Sequence, residues 1–192
     1  MGMKQILVMM AAVVLVGCGD NSTEKPVVPA TTESSVVDDP KPVTEAEFEQ
    51  TKAKAESGDA EEQFNLGVIY AYDSGRGGDF KEAVKWYRKA AEQGNAMAQV
   101  NLGVQYANPM YQAVEQDSKE AVKWYRKAAE QGNILGQVYL GSMYDEGKGV
   151  EQDLKEALKW YRKAAEQEPQ EIVDAEEVLQ IFLQEHPELR ED

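Results

Sequence analysis

The sequence predicts an all-α fold, an α-solenoid of helix-turn-helix repeats, and two observations predict it. The run at 81–95 recurs unchanged at 119–133 and, with Leu158 in place of Val, at 155–167. A second, similar run precedes each copy, at 63–70, 99–106 and 137–144. Both runs place small and apolar residues at helical spacing, as a pair of packed helices requires. A repeat of this period is typical of stacked helical pairs.

The first element is predicted to be a secretory signal peptide that ends at a lipid attachment site. Lys4 precedes an apolar run at 6–16, which is shorter than the roughly 20 residues that a membrane span needs but fits a secretory signal over 1–17. The signal ends Leu-Val-Gly-Cys at position 18, which resembles the bacterial lipoprotein lipobox. The resemblance implies cleavage before Cys18 and its lipidation. Gly19 favours sorting to the periplasmic side of the outer membrane. The alternative is a plain signal peptide with a stray cysteine.

The remaining elements follow in order along the chain. Residues 18–43 are predicted to be the lipidated cysteine and a flexible linker, because they are rich in Pro, Ser and Thr and lack apolar periodicity. Further boundaries are predicted at 44–59 for an N-terminal capping helix, at 60–95, 96–133 and 134–169 for repeats 1 to 3, and at 170–192 for a C-terminal capping helix and tail. A terminal repeat needs a polar outer side for solubility, and the acid-rich ends supply one.

The third repeat resembles a known family. Its pattern is Leu-Gly at 140–141, Tyr144, Gly-Lys-Gly-Val at 147–150, Asp153 and Trp-Tyr at 160–161, and much of it recurs in the other repeats. This resembles the Sel1-like repeat family, a relative of the tetratricopeptide repeat. The resemblance implies a superhelix whose first helices line a concave surface. The second repeat departs from the pattern, because it has no glycines at 108–112 and is two residues longer than the third.

The candidate binding surface, called the inner face below, is the side of each first helix opposite the repeated core residues. Its members vary between repeats and mix apolar, amide and hydroxyl groups, which suits a protein partner. They are Glu61, Asn65, Val68, Tyr72, Met97, Asn101, Val104, Asn108, Leu135, Tyr139, Ser142 and Glu146. Met110 and Tyr111 in the divergent loop form a second candidate. The alternatives are drift on a solvated helix face and a tolerated insertion.

Composition excludes several function classes. Acids outnumber bases 35 to 20, giving a net charge of −15, which argues against nucleic-acid binding. One cysteine and one histidine exclude a disulfide within the chain and a zinc site built from several such ligands. Without a Gly-rich phosphate loop either, we expect neither a cofactor nor a metal. Trp86, Trp124 and Trp160 are predicted to be core residues, and His186 a surface residue with no partner of catalytic type nearby.

Together these features predict a monomeric, non-catalytic protein-binding module anchored in the bacterial envelope. Some lipoproteins of the resembled family look like immunity proteins that neutralise antibacterial toxins, including lipase effectors, so the partner is expected to be such a toxin or an envelope protein. The alternative is an envelope assembly scaffold or adaptor. A cell-wall or β-lactam-directed enzyme is a further alternative, which the lack of paired cysteines and of a Ser-x-x-Lys motif disfavours.

Overall fold

The computed structural model describes residues 43–73, 78–108, 113–167 and 174–190. These ranges hold eight α-helices, followed by a 3₁₀ turn at Pro187–Leu189, and contain no strand. The helices are α1 Glu45–Glu56, α2 Ala60–Tyr72, α3 Phe80–Glu92, α4 Ala96–Ala107, α5 Ser118–Glu130, α6 Ile134–Glu146, α7 Leu154–Ala165 and α8 Ala175–Glu185. Each packs mainly on its neighbours in sequence. The predicted all-α solenoid of helical repeats is confirmed. The predicted signal segment, Cys18 and the linker as far as residue 42 lie outside the described residues.

Short polar side chains start the helices, which explains the polar residues that recur between the apolar runs. Asp79, Asp117 and Asp153 cap the second helices α3, α5 and α7, each accepting hydrogen bonds of 3.0 Å from backbone N–H groups of the first turn. Asn95 and Asn133 cap the first helices α4 and α6 in the same way, at 2.8 Å. The Gly-Asn pair that ends a repeat therefore stops one helix and starts the next.

Each Leu-Gly motif is matched to the Trp-Tyr motif of its own repeat. A Cβ at Gly103 would lie 2.6 Å from the Tyr125 ring, and one at Gly141 would lie 2.7 Å from the Tyr161 ring. Gly67 meets Tyr87 in the same way, at 2.6 Å. Only glycine allows the tyrosine ring to lie against the first helix, so the two motifs are parts of one contact.

The three tryptophans lie in the core, as predicted. Trp86, Trp124 and Trp160 are 7, 7 and 8 % exposed. Trp124 shares a buried cluster with Val84 and Tyr87, so the tryptophan of one repeat packs on the second helix of the repeat before it. The Lys127 ammonium lies 3.9 Å from the centre of the Trp124 ring and covers its outer side.

A buried glutamine joins each of the three repeats to the helix that precedes it. Gln99 donates from Nε2 to the Ala91 carbonyl of repeat 1 at 3.0 Å, and its Oε1 accepts from Gln131 of its own repeat at 2.7 Å. Gln63 and Gln137 make the corresponding pairs of bonds. We call these three glutamines and their partners the glutamine ladder, and it ties each first helix to the ends of both second helices beside it.

Both ends of the array are capped by helices. Phe48 of α1 packs in a cluster with Leu66 and Trp86, and Phe182 of α8 is fully buried against the ring of Tyr161. His186, predicted to be a surface residue, is partly exposed and has partners in the fold. Its Nε2 lies 3.4 Å from the Asp145 carboxylate of repeat 3, and its ring contacts Phe182. Burial raises the pKa of the Asp145 carboxyl, and the attraction of His186 only partly opposes that effect.

Candidate partner-binding surface

The inner face is open to solvent in repeat 1. Glu61 on α2 is exposed, while Asn65, Val68 and Tyr72 are partly exposed. Val68 and Tyr72 rest on the buried cluster that contains Tyr87, so their inner sides are fixed by packing and their outer sides meet water. The Tyr72 ring also meets Phe80 edge to face, at 5.8 Å between centroids. Repeat 1 therefore presents a valine, an amide, a phenol ring and a carboxylate along one helix.

Most of the same positions are buried in repeats 2 and 3, so the prediction that five of these inner-face residues are exposed was wrong. The buried five, with their exposed fractions, are Asn101 at 6 %, Val104 at 5 %, Leu135 at 3 %, Tyr139 at 7 % and Ser142 at 7 %. Only Met97, Asn108 and Glu146 remain partly exposed there. The apolar character of Val104 and Leu135 is that of core residues, since both belong to one buried cluster.

Neighbouring repeats cover each other at these positions. Tyr139 of repeat 3 stacks on Tyr125 of repeat 2, with ring centroids 5.0 Å apart. Asn133, which caps α6, donates to the Met97 sulfur of repeat 2 at 3.4 Å. No first helix precedes α2 among the described residues, since α1 takes the place of a second helix. The open part of the inner face is therefore the end of the array.

Acidic groups border this open part. Glu61 is exposed, and Glu62 beside it accepts from Lys54 at 2.6 Å and from Asn65 at 3.3 Å. The hydrogen bond from the Lys54 ammonium is the main cause that lowers the pKa of the Glu62 carboxyl. The Asn65 amide is thus oriented by Glu62, which leaves its carbonyl oxygen available to a partner.

Two structural features were not predicted from the sequence. Phe64 is partly exposed beside Asn65, and its ring lies 6.0 Å from that of Tyr87, whereas repeats 2 and 3 have fully buried valines at this position. The substitution of Phe for Val between repeats was a signal that could have revealed it. The second is a contact between repeats, in which the exposed Arg88 donates to the hydroxyl of Tyr106 in the next repeat at 2.6 Å.

Other kinds of site find no support in the part of the chain that the structure describes. It holds no group of three His, Cys, Asp or Glu side chains that could bind a metal ion. Within the same ranges, none of the helices has the length and apolar character needed to cross a bilayer. Met110 and Tyr111 lie outside the described residues, so their predicted role stays a prediction.

The Sel1 repeat family matches the chain at 63–95, 96–133 and 134–169. No curated protein sequence matches the chain. Among solved structures, a Sel1 repeat protein from Oxalobacter formigenes is 37 % identical, with a TM-score of 0.60, over 69 % of this chain and 96 % of that one. The protective antigen c5321 of uropathogenic Escherichia coli, which displays an SLR fold, is 37 % identical with a TM-score of 0.59. That match covers 72 % of this chain but only 33 % of the antigen.

The cysteine-rich protein B of Helicobacter pylori is 22 % identical, with a TM-score of 0.54, over 67 % of this chain and 95 % of that one, and this likeness shows the fold alone. The family match covers more than half of the chain. Its second and third segments contain the helix pairs α4–α5 and α6–α7, and its first covers α3 and most of α2. Sel1 repeat proteins are generally protein-interaction modules, typically without catalysis of their own. This chain belongs to the Sel1 repeat family.

Proposed function

We propose that this protein is a non-catalytic interaction module, held at the outer membrane by lipidated Cys18, that binds a protein partner through the open inner face of repeat 1. The single observation that carries the proposal is the asymmetry of the inner face. Asn65 and Val68 are accessible, whereas their counterparts Asn101 and Val104 are buried. A partner can therefore contact the full set of inner-face positions in repeat 1 only.

The chemistry of the open face suits a folded protein or a peptide. Tyr72 and Phe64 offer large rings already ordered by packing, which lowers the entropy lost on binding. Asn65 offers a positioned amide, and Glu61 adds a carboxylate to a chain of net charge −15. Such a surface favours a partner with a basic patch, which the acidic field of the chain would steer.

Within this proposal the partner is an antibacterial toxin in the periplasm, such as a lipase effector, which the solenoid neutralises by covering its active surface. Two features support it, the expected periplasmic anchor and the acidic groups that border the open face. A pull-down with the mature protein tests the role. Recovery of a secreted toxin supports immunity, whereas recovery of an envelope assembly protein favours a scaffold.

The binding face is tested by titration against the recovered partner. Asn65→Ala combined with Val68→Glu should weaken binding by more than about 2 kcal/mol, roughly thirtyfold. Thermal unfolding should change little, because both side chains are partly exposed. The counterpart pair Asn101 and Val104 cannot serve, because both are buried and their substitution would unfold the protein.

The matched control reverses charge on the outer side of repeat 2, at the exposed Lys119 and Lys123. Lys119→Glu with Lys123→Glu should leave the affinity within about threefold, as for surface charges away from an interface. If this pair abolishes binding while the inner-face pair preserves it, the partner binds the outer side and the proposed face is wrong.

The anchor has its own test. Cys18→Ser should release the protein from the outer-membrane fraction or leave its signal segment uncleaved, because no thiol remains to carry the acyl chains that hold it. If this variant fractionates with the outer membrane like the parent, the protein is not anchored through lipidated Cys18. The proposal for the binding face would be unaffected by that result.

A further inference from the structure

A depression of about 490 Å³ lies on the outer side of the array, where repeat 1 meets repeat 2. One wall is the exposed side of α3, and Ala113 of repeat 2 lines the groove opposite it. The described residues that line it are Lys81, Val84, Lys85, Arg88, Lys89, Glu92 and Ala113. We call it the basic groove, since four of these side chains are cationic and one is anionic.

One glycine of the repeat is replaced beside the groove. Counting back from the capping aspartates, Ala113 of repeat 2 stands where repeat 3 has Gly149. In repeat 3 a Cβ at Gly149 would lie 2.3 Å from the carbonyl oxygen of Ser118, the first residue of α5. Gly149 also has φ +70°, which a residue with a Cβ adopts only with strain. Ala113 is partly exposed and packs against the buried cluster that contains Val84, so a methyl group lines the groove where repeat 3 has no side chain.

The groove combines positive charge with a small apolar floor. Arg88 is fixed by its bond to the Tyr106 hydroxyl, and Lys85 pairs with Glu82 at 2.5 Å, whereas the Lys81 ammonium has no ion-pair partner among the described residues. Val84 and Ala113 supply the apolar part of the lining. A short acidic peptide with small aliphatic residues at its centre matches both features.

We propose that the basic groove binds residues 33–39 of this chain's own linker, Glu-Ser-Ser-Val-Val-Asp-Asp. This segment carries three carboxylates on either side of two valines, the complement of the groove lining. Chain continuity supports binding in cis. Val43, the first described residue, packs against the cluster that contains Trp86, and the Lys89 ammonium lies 3.7 Å from the centre of that ring. The linker therefore joins the fold beside the groove.

The chain between the linker segment and Val43 is long enough for residues 33–39 to lie along the groove. Val37 precedes Val43 by six residues, which span up to about 20 Å when extended. Along α3 the step from Lys89 back to Lys81 is about 12 Å. Binding would leave only residues 19–32 as free tether and reduce its mean reach from about 25–30 Å to about 19–22 Å. The linker segment thus sets how far the solenoid stands from the membrane.

Paramagnetic broadening tests the contact in the chain expressed from Gly19, which lacks the natural cysteine. A nitroxide on Ala30→Cys should remove most of the amide signal intensity of Lys85 and Ala113. The equivalent positions Lys123 and Gly149, at the junction of repeats 2 and 3, should keep theirs. Unchanged intensity at Lys85 and Ala113, or equal loss at both junctions, would overturn the proposal.

Charge exchange supplies the matched controls. Lys81→Glu with Lys85→Glu should abolish the broadening, and adding Asp38→Lys with Asp39→Lys should restore it. Lys119→Glu with Lys123→Glu, the same positions one repeat later, should leave it intact. A synthetic peptide of residues 31–40 should compete, and should bind the Lys81 and Lys85 variant about tenfold more weakly.

A mixing experiment distinguishes the occupants. When spin-labelled chains are mixed with isotope-labelled chains that carry no spin label, the groove signals should stay sharp. Broadening in that mixture would mean that the segment of a second copy binds, and binding in cis would be refuted. Circular dichroism of each variant should match the parent, because every substituted side chain on α3 and α5 is exposed.

Discussion

The glutamine ladder predicts that two equally buried glutamines on one helix respond in opposite ways to the same substitution. Gln99 and Gln105 on α4 are both 3 % exposed. Gln99 makes the two ladder bonds, whereas the Gln105 side-chain oxygen has no hydrogen-bond partner among the described residues. The counterparts of Gln105 in repeats 1 and 3 are Ile69 and Met143, so an apolar side chain fits that position.

The magnitude follows from the bonds that are lost. Gln99→Met removes two hydrogen bonds, each with a net contribution of about 0.5–1.5 kcal/mol, so the loss is about 1–3 kcal/mol. Neither partner of Gln99 is left without a hydrogen bond. The Ala91 carbonyl still accepts from the Gly94 N–H, and the Gln131 side-chain amide still donates to the Lys127 carbonyl. Gln105→Met loses no bond to its oxygen and removes an unsatisfied buried acceptor, so we expect no loss or a gain of about 1 kcal/mol.

Chemical denaturation followed by circular dichroism measures both variants against the parent. The expected difference between them is about 1–4 kcal/mol, and each kcal/mol corresponds to about 2–4 °C in Tm for a chain of this size. Because both replacements are to Met on the same helix, helix propensity and side-chain volume cancel in the comparison. Equal destabilisation by the two substitutions, or a neutral Gln99→Met, would show that the ladder contributes nothing beyond packing.

Three further predictions concern the core, a turn and pH. Trp124→Ala should cost about 3–5 kcal/mol in urea denaturation, and a loss below about 1 kcal/mol would contradict its burial. Gly149→Ala should cost at least about 1–3 kcal/mol, because its methyl group would meet the Ser118 carbonyl, and an unchanged midpoint would contradict this steric reading. Burial raises the pKa of the Asp145 carboxyl above 3.8, so its ionised form is penalised in the fold and the penalty is relieved as pH falls. Asp145→Asn should therefore raise Tm more at neutral pH than near pH 4, and a larger benefit in acid would reverse the assignment.

The sequence alone predicted the repeat architecture, because the contacts that define it are local. The Leu-Gly and Trp-Tyr motifs lie on adjacent helices of one repeat, and Tyr125 needs Gly103 whatever lies further along the chain. Burial of Trp124 follows from the same pattern, since a large ring that recurs at each repeat belongs to the repeated interface. Helical spacing likewise predicted that an exposed side exists on each first helix.

Tertiary structure alone decided which parts of that side meet water. Helical periodicity treats Asn65 and Asn101 as equivalent, yet only Asn101 is covered, because burial at this position depends on the repeats to either side and α2 begins the array. The basic groove is likewise invisible in the pattern. It is lined by side chains of α3 in repeat 1 and by Ala113 of repeat 2, and only the packing of the two repeats brings these residues together.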